Sequence, residues 1–197
     1  PNRRKEKKLS MIEFLTNTYE LTNDMSHLEE KELFLESTSS MVFDRVNRIV
    51  YAGISPRTNA VQLIIWCRHN NYELVLFETE SHTGSPIYHT DVLMYVGTEI
   101  IGICFDVITK EHSDYVKEKV STYHDVVELS PEQIEKFCGN AIEAKNKNDE
   151  LFLILSTTAY KALNEEQIEK LLKSYSDIIH SDIPTIEKYG GGSARCM

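Results

Sequence analysis

No apolar run in this 197-residue chain approaches the roughly 18 residues that a membrane-spanning helix requires. Nor does the chain open with a basic segment followed by an apolar one, the pattern of a secretory leader. A soluble, cytoplasmic protein with no membrane partner is the expectation. The first residue is Pro1 and not methionine, so a signal upstream of it would be invisible. Basic residues are also in short supply, 21 Lys and Arg against 31 Asp and Glu, for a net charge of −10. A surface of that sign repels phosphates, which sets nucleic acid aside as a partner. The one basic run, Asn2 to Lys8, reads as the solvated face of an opening helix.

Paired cysteines are missing as well. Cys67, Cys104, Cys138 and Cys196 are far apart and form no CxxC, so neither a zinc knuckle nor a disulfide framework is indicated. Without a resolving cysteine or a ligand cluster at usable spacing, thiol redox and metal binding lose their basis, and no metal or organic cofactor is expected. Cys67 follows the apolar LIIW of a helical pattern and Cys104 sits in IIGICF, which makes both core residues. Cys138, before a glycine at a helix end, reads either way. Cys196 alone has a polar, glycine-rich neighbourhood in which a thiol is exposed and reactive.

What remains is ordinary globular composition, 41% hydrophobic and 26% charged, at a length that suits one large domain or two small ones. Its organisation is repetitive. SSMVFDRVNRIVYAGI predicts two strands and a turn, TNAVQLIIWCRHN a helix and YELVLFE a strand. The order recurs in DVLMYVGTEIIGICF, SDYVKEKVSTY and HDVVELS, with the turn near Gly97 and Glu99. It recurs again in NAIEAKNKNDELFLILS, NEEQIEKLLKSY and SDIIHS, where Asn164 caps the helix. Strand, strand, helix, strand thus returns about every 50 residues, in units spanning 40–78, 91–128 and 140–180.

A helix over Pro1 to Tyr19 resembles the second half of an earlier unit. The final GGGSARCM, Gly190 to Met197, stands where the first strand of a later one should begin. Polar residues fall at matching places in these units. Glu36 precedes the first hairpin, His89 and Asp91 open the second, Asn140 opens the third, and Cys196 marks the would-be fourth. Units arranged about an axis would bring these positions to one face.

Together LFLESTSSMVFDR, GISPRTN, PIYHTDVLMYVG, GNAIE and YGGGSARCM resemble, in order, the motifs of the arginine deiminase and amidinotransferase (pentein) superfamily. Within it the branch of arginine-deiminase-related, citrulline-utilising hydrolases is the most similar. His-x-Asp and Gly-Gly-Gly-x-x-Arg-Cys-Met in this order are the specific signals. The resemblance spans Pro1 to Met197. It implies an α/β fold, a five-bladed αβ-propeller of ββαβ units, here a single domain with an incomplete ring that lacks the first blade and the closing end. It also implies Cys196 as nucleophile, His89 as general acid and base, and Glu36 and Asp91 as carboxylates that hold the guanidinium or ureido group. Arg57 of SPRT matches a position that grips a substrate α-carboxylate, and Asn140 matches a structural asparagine.

The chemistry suits those residue types. A guanidinium carbon is a poor electrophile, and a thiolate attack divides the difficult step. Two carboxylates fix a planar guanidinium at several donors, and the cation with His89 would favour thiolate over thiol. The implied activity is hydrolysis of a C–N bond in a small arginine- or citrulline-like compound through an S-linked intermediate. An amidinotransferase, or a catalytically silent binding or scaffold relative, is the alternative. One departure favours the silent relative. The superfamily places glycines where this chain has Ser37 and Ser39, and glycine permits left-handed backbone and close ligand approach. An incomplete ring would expose strand edges, which a homo-oligomeric partner copy would cover.

Overall fold

The computed structural model describes residues 8–197. The basic run from Asn2 therefore lies outside the described residues except for Lys8. The chain divides after Leu33 into two compact units. The first holds helix α1 (Leu9–Thr18), with no buried side chain, and a 3-10 turn, Ser26–Lys31.

The second unit, from Phe34 onward, begins with the single helical turn α2 (Ser37–Ser40). Then come β1 (Val42–Asp44), β2 (Ile49–Gly53), α3 (Ala60–His69) and β3 (Glu73–Phe77). A second set follows as β4 (Met94–Val96), β5 (Ile100–Ile103), α4 (Lys110–Tyr123) and β6 (Asp125–Glu128). After α5 (Pro131–Glu135), a third comprises β7 (Ile142–Lys145), β8 (Leu151–Ser156), α6 (Thr157–Ala162), α7 (Glu165–Ser174) and β9 (Asp177–Ser181). Helix α8 (Pro184–Gly190) and a 3-10 turn at Ala194–Cys196 end the chain.

Each set forms its own three-stranded sheet, an antiparallel hairpin whose second strand pairs in parallel with the strand after the helix. Their equivalence extends to register, with Val42 opposite Tyr51 and Tyr51 opposite Val75 in the first sheet, and Met94 opposite Ile103 and Ile103 opposite Glu128 in the second. The first strands lie side by side, β1 against β4 and β4 against β7. The repeat seen in the sequence is therefore a repeat of sheets in a mixed α/β fold. The described residues carry three sheets, and these do not close into a ring of five.

Local chemistry sets the helix starts. Asn59 Oδ1 accepts from the Gln62 N–H at α3, and Asn164 and Gln167 cap α7 reciprocally. Val116 and Val120, one turn apart on α4, face inward. The main core runs through Ile49, Tyr51, Leu93, Ile101, Leu153 and Leu171, and a smaller cluster joins Val50, Leu63 and Cys67 behind the first sheet. Cys67 and Cys104 are core residues as expected, and burial pushes both thiols up to about 11. Cys138 is buried too, its thiol raised to about 12 by burial, and it donates to the Ala159 carbonyl at 3.3 Å.

One ionisable pair is sealed in. His124 Nε2 lies 3.4 Å from Asp44 Oδ2, with side chains 0% and 1% exposed. Neither imidazole nitrogen makes a hydrogen bond among the described residues. Burial holds this histidine below its ordinary pKa despite the neighbouring carboxylate.

Candidate active site

Five chain segments that the sequence separates by up to 160 residues meet at one place. The turn at His89–Val92 is the hub. Thr90, 1% exposed, donates from Oγ1 to the Ser40 carbonyl at 2.7 Å and accepts from the Gly53 N–H at 2.9 Å. These two buried bonds bolt the turn to α2 and to the end of β2, so the flanking side chains leave it in fixed directions.

On one side stands His89, whose Nε2 is 2.7 Å from Glu36 Oε2. The same carboxylate oxygen accepts from Arg57 Nη1 at 3.1 Å. Ser40, fully buried, ties the two segments together, its Oγ accepting from the Glu36 N–H and donating to the Arg57 carbonyl. Burial alone would raise the Glu36 carboxyl. The hydrogen bonds from His89 and Arg57, with their charge, outweigh it and hold the group below its usual value.

Asp91 lies on the other side, 1% exposed. Its Oδ2 is 3.5 Å from Cys196 Sγ and 3.7 Å from Arg195 Nε. Burial pushes the Asp91 carboxyl up, against the Arg195 and His89 charges and the Cys196 and Ser39 side chains, which favour the ionised form. Its Oδ1 is buried and makes no hydrogen bond of good geometry to a described residue. Arg195 also donates from Nη2 to the Thr38 carbonyl at 3.3 Å, linking the tail to α2.

The glycines of GGGSARCM have separate jobs. Gly190 ends α8, and Gly191 takes a left-handed φ of 68° just after it, the usual glycine stop of a helix. Gly192 lies so close to the thiol that a Cβ there would stand 2.9 Å from Cys196 Sγ. The segment is thus a shaped turn, and not the strand that the repeat predicts after Gly190. Tyr88 pins it, donating from its hydroxyl to the Gly191 carbonyl at 2.9 Å.

Cys196 is exposed at the residue level, but protein packs round its sulfur. Burial first, and the Asp91 carboxylate second, push the thiol above its usual value, while a hydrogen bond from Asn140 pulls it down. The thiolate expected from the sequence is that of a site holding a cationic substrate; in the chain without substrate, burial and then Asp91 move the balance toward the thiol. A cavity of about 170 Å³ opens beside the sulfur, lined by Tyr88, Val92, Ile134, Glu135, Phe137 and the two glycines 191 and 192.

The five residues named from the sequence are therefore all here, in two groups joined by the His89–Val92 turn. The sequence reading missed three contributors: Arg195, inside the quoted tail motif, Tyr88, next to His89, and Thr90, between the two motif residues. Among the described residues no group of three His, Cys, Asp or Glu side chains is placed to hold a metal, and no helix is long and apolar enough to cross a membrane.

A repeated sheet–helix fold with cysteine, histidine and paired carboxylates at one site defines the class, the arginine deiminase and amidinotransferase superfamily. Within that class the chain belongs to the eukaryotic N,N-dimethylarginine dimethylhydrolase family, whose sequence model matches residues 1–197. No curated protein matches it in sequence.

Among solved structures, the arginine dihydrolase ArgZ from the ornithine–ammonia cycle in cyanobacteria has a TM-score of 0.64 at 18% identity, over 87% of this chain and 27% of that one. Its N-terminal domain, covalently bonded to a reaction intermediate, has a TM-score of 0.62 at 18% identity, over 87% of this chain and 61% of that one. A variant of the Pseudomonas aeruginosa dimethylarginine enzyme complexed with citrulline has a TM-score of 0.50 at 18% identity, over 78% and 51%. The chain thus spans about a quarter of full-length ArgZ and about three-fifths of its N-terminal domain.

Proposed function

We propose that this protein hydrolyses the C–N bond of a guanidino compound, arginine or an N-methylated arginine, with Cys196 as nucleophile. The observation that carries the reading is the placement of the Cys196 sulfur 3.5 Å from Asp91, a carboxylate only 1% exposed. A buried carboxylate is costly, and a planar cation that donates to it offsets that cost. Seated there, the guanidinium also brings positive charge to a thiol held in its neutral form, and so favours loss of the proton from Cys196 at the moment substrate is bound.

The steps follow from these positions. Cys196 gives its proton to His89 and, as thiolate, forms an S–C bond to the guanidino carbon. As the tetrahedral adduct collapses, the C–N bond to the leaving amine breaks and His89, as imidazolium, gives that nitrogen its proton. Glu36, ionised and 2.7 Å from His89 Nε2, stabilises the imidazolium and leaves Nδ1 to exchange protons. Water then adds to the S-linked carbon, His89 takes its proton, and the S–C bond breaks to give a ureido product and free Cys196. Arg57 in the substrate-free chain is paired to Glu36, and its remaining donors would meet a substrate carboxylate. The apolar wall of Val92, Ile134 and Phe137 beside the sulfur suits methyl groups on the attacked guanidine, while Glu135, which lines the same cavity, offers an acceptor for its remaining N–H.

Ammonia or methylamine released from arginine and from mono- and dimethylated arginines, with the matching ureido product, tests this reading. Faster turnover of the methylated substrates supports the apolar wall as a methyl site, and turnover of none of them refutes the proposal. An added amine that displaces water in the second step would instead make the protein an amidinotransferase, and no feature of the site favours that.

A further inference from the structure

Asn140 opens the third unit, 56 residues before Cys196, and its side chain is 2% exposed. Its Oδ1 accepts from the backbone N–H of Ser193 at 3.1 Å and of Arg195 at 3.2 Å. Its Nδ2 donates to the Asp91 carbonyl at 3.1 Å and lies 3.1 Å from Cys196 Sγ. The amide cannot be turned round. Backbone N–H groups only donate and a backbone carbonyl only accepts, so the oxygen must face Ser193 and Arg195 and the nitrogen must face Asp91. Three bonds thereby aim the second N–H at the sulfur. The other side chain on the sulfur, Asp91, can only accept from the thiol, and it repels the thiolate.

We propose that Asn140 is a catalytic residue that donates its second Nδ2–H to the Cys196 thiolate, while its oxygen holds the turn from Ser193 to Cys196 and so fixes where the sulfur points. The proposal rests on Cys196 being the nucleophile. A hydrogen bond to the charged form favours that form, so the amide offsets part of what burial and Asp91 do to the thiol. The grip on the turn is shared. Ser193, fully buried, donates from Oγ to Glu187 Oε1 at 3.0 Å, and Thr158 donates to Oε2 of the same carboxylate at 2.8 Å. Removing the amide therefore leaves the turn anchored through Glu187, which makes the donor separable from the scaffold.

Asn140→Asp separates them. An aspartate keeps an acceptor for both backbone N–H groups but presents an oxygen to the sulfur where a donor stood. The full-length protein is alkylated with iodoacetamide in brief pulses from pH 7 to 11.5, and modification of the Cys196 peptide is followed by mass against those of the buried Cys67, Cys104 and Cys138. The expected result is a midpoint for Cys196 raised by about one pH unit or more in the variant, with kcat for a guanidino substrate falling by about 10-fold or more while KM changes little. A folded Asn140→Asp variant with an unmoved midpoint overturns the proposal. Should the aspartate prevent folding, Asn140→Ala removes the donor without adding charge. Its midpoint must still rise, and an unchanged midpoint is equally decisive. The alkylation readout needs no substrate. A wild-type protein that turns over no guanidino compound refutes the proposed function alone, and an unmoved midpoint beside Cys196-dependent turnover refutes the role of Asn140 alone.

Discussion

Glu36 and His89, 53 positions apart in the chain, share a hydrogen bond of 2.7 Å, and Arg57 donates to the same carboxylate oxygen. The carboxylate is thus a counter-ion for a histidine that the proposed reaction charges and discharges in each cycle. Glu36→Gln keeps the shape and removes the charge, so turnover is expected to fall about 100-fold with the fold retained. Steady-state kinetics beside thermal unfolding checks it, and wild-type kcat in the variant would detach Glu36 from the chemistry.

The pH dependence of stability has a source away from the site. His124 is buried beside Asp44 with its pKa lowered from the ordinary 6.5. As pH falls below that value the unfolded chain takes up a proton on this histidine before the folded chain does, so stability falls with falling pH in that window. Thermal midpoints measured between pH 7.5 and 5.5 should drop less in His124→Gln than in the wild type. Parallel curves would show that His124 is not the group responsible.

Ser37 occupies the left-handed region with φ 52°. The superfamily pattern places glycine there, and a side chain in that conformation costs roughly 1 kcal/mol. Ser37→Gly is expected to stabilise the fold by up to about that amount, less the extra freedom glycine gains in the unfolded chain. Urea unfolding measures the change, and a clear loss of stability would mean that the hydroxyl contributes more than the backbone strain costs.

Gly192 leaves no room for a methyl group beside Cys196. Gly192→Ala should displace the sulfur and lower kcat about 100-fold, because a shift on the order of 1 Å costs that much in a positioned reaction. The thermal midpoint should move little, since the turn stays anchored through Ser193 and Glu187. Turnover equal to wild type would show that the sulfur has freedom the close packing denies it.

Much of this was legible in the residues because the repeat sets the phase. Strand, strand, helix, strand three times over placed Glu36, His89, Asp91, Asn140 and Cys196 at corresponding junctions, and the sheets bring those junctions together. Asn164 as a helix cap was readable for a local reason, a side chain bonding to the backbone three residues on. Arg195, Tyr88 and Thr90 were not readable, since their partners Asp91, Gly191 and Ser40 lie many residues away and no short pattern encodes those bonds. The raised thiol of the substrate-free chain was not readable for a related reason, since burial and the Asp91 carboxylate that cause it are brought to the sulfur only by the fold. The five-bladed architecture came from resemblance with an incomplete ring expected here, and the three sheets of the described residues leave the blade number open.

The most direct measurement is release of amine and ureido product from arginine, its methylated forms, agmatine and citrulline, by the full-length protein beside its Cys196→Ser variant. The account predicts turnover of a guanidino substrate by the wild type and none by a variant that unfolds at the same temperature. Equal turnover in both, or none from a folded wild-type protein on any of these compounds, would contradict it.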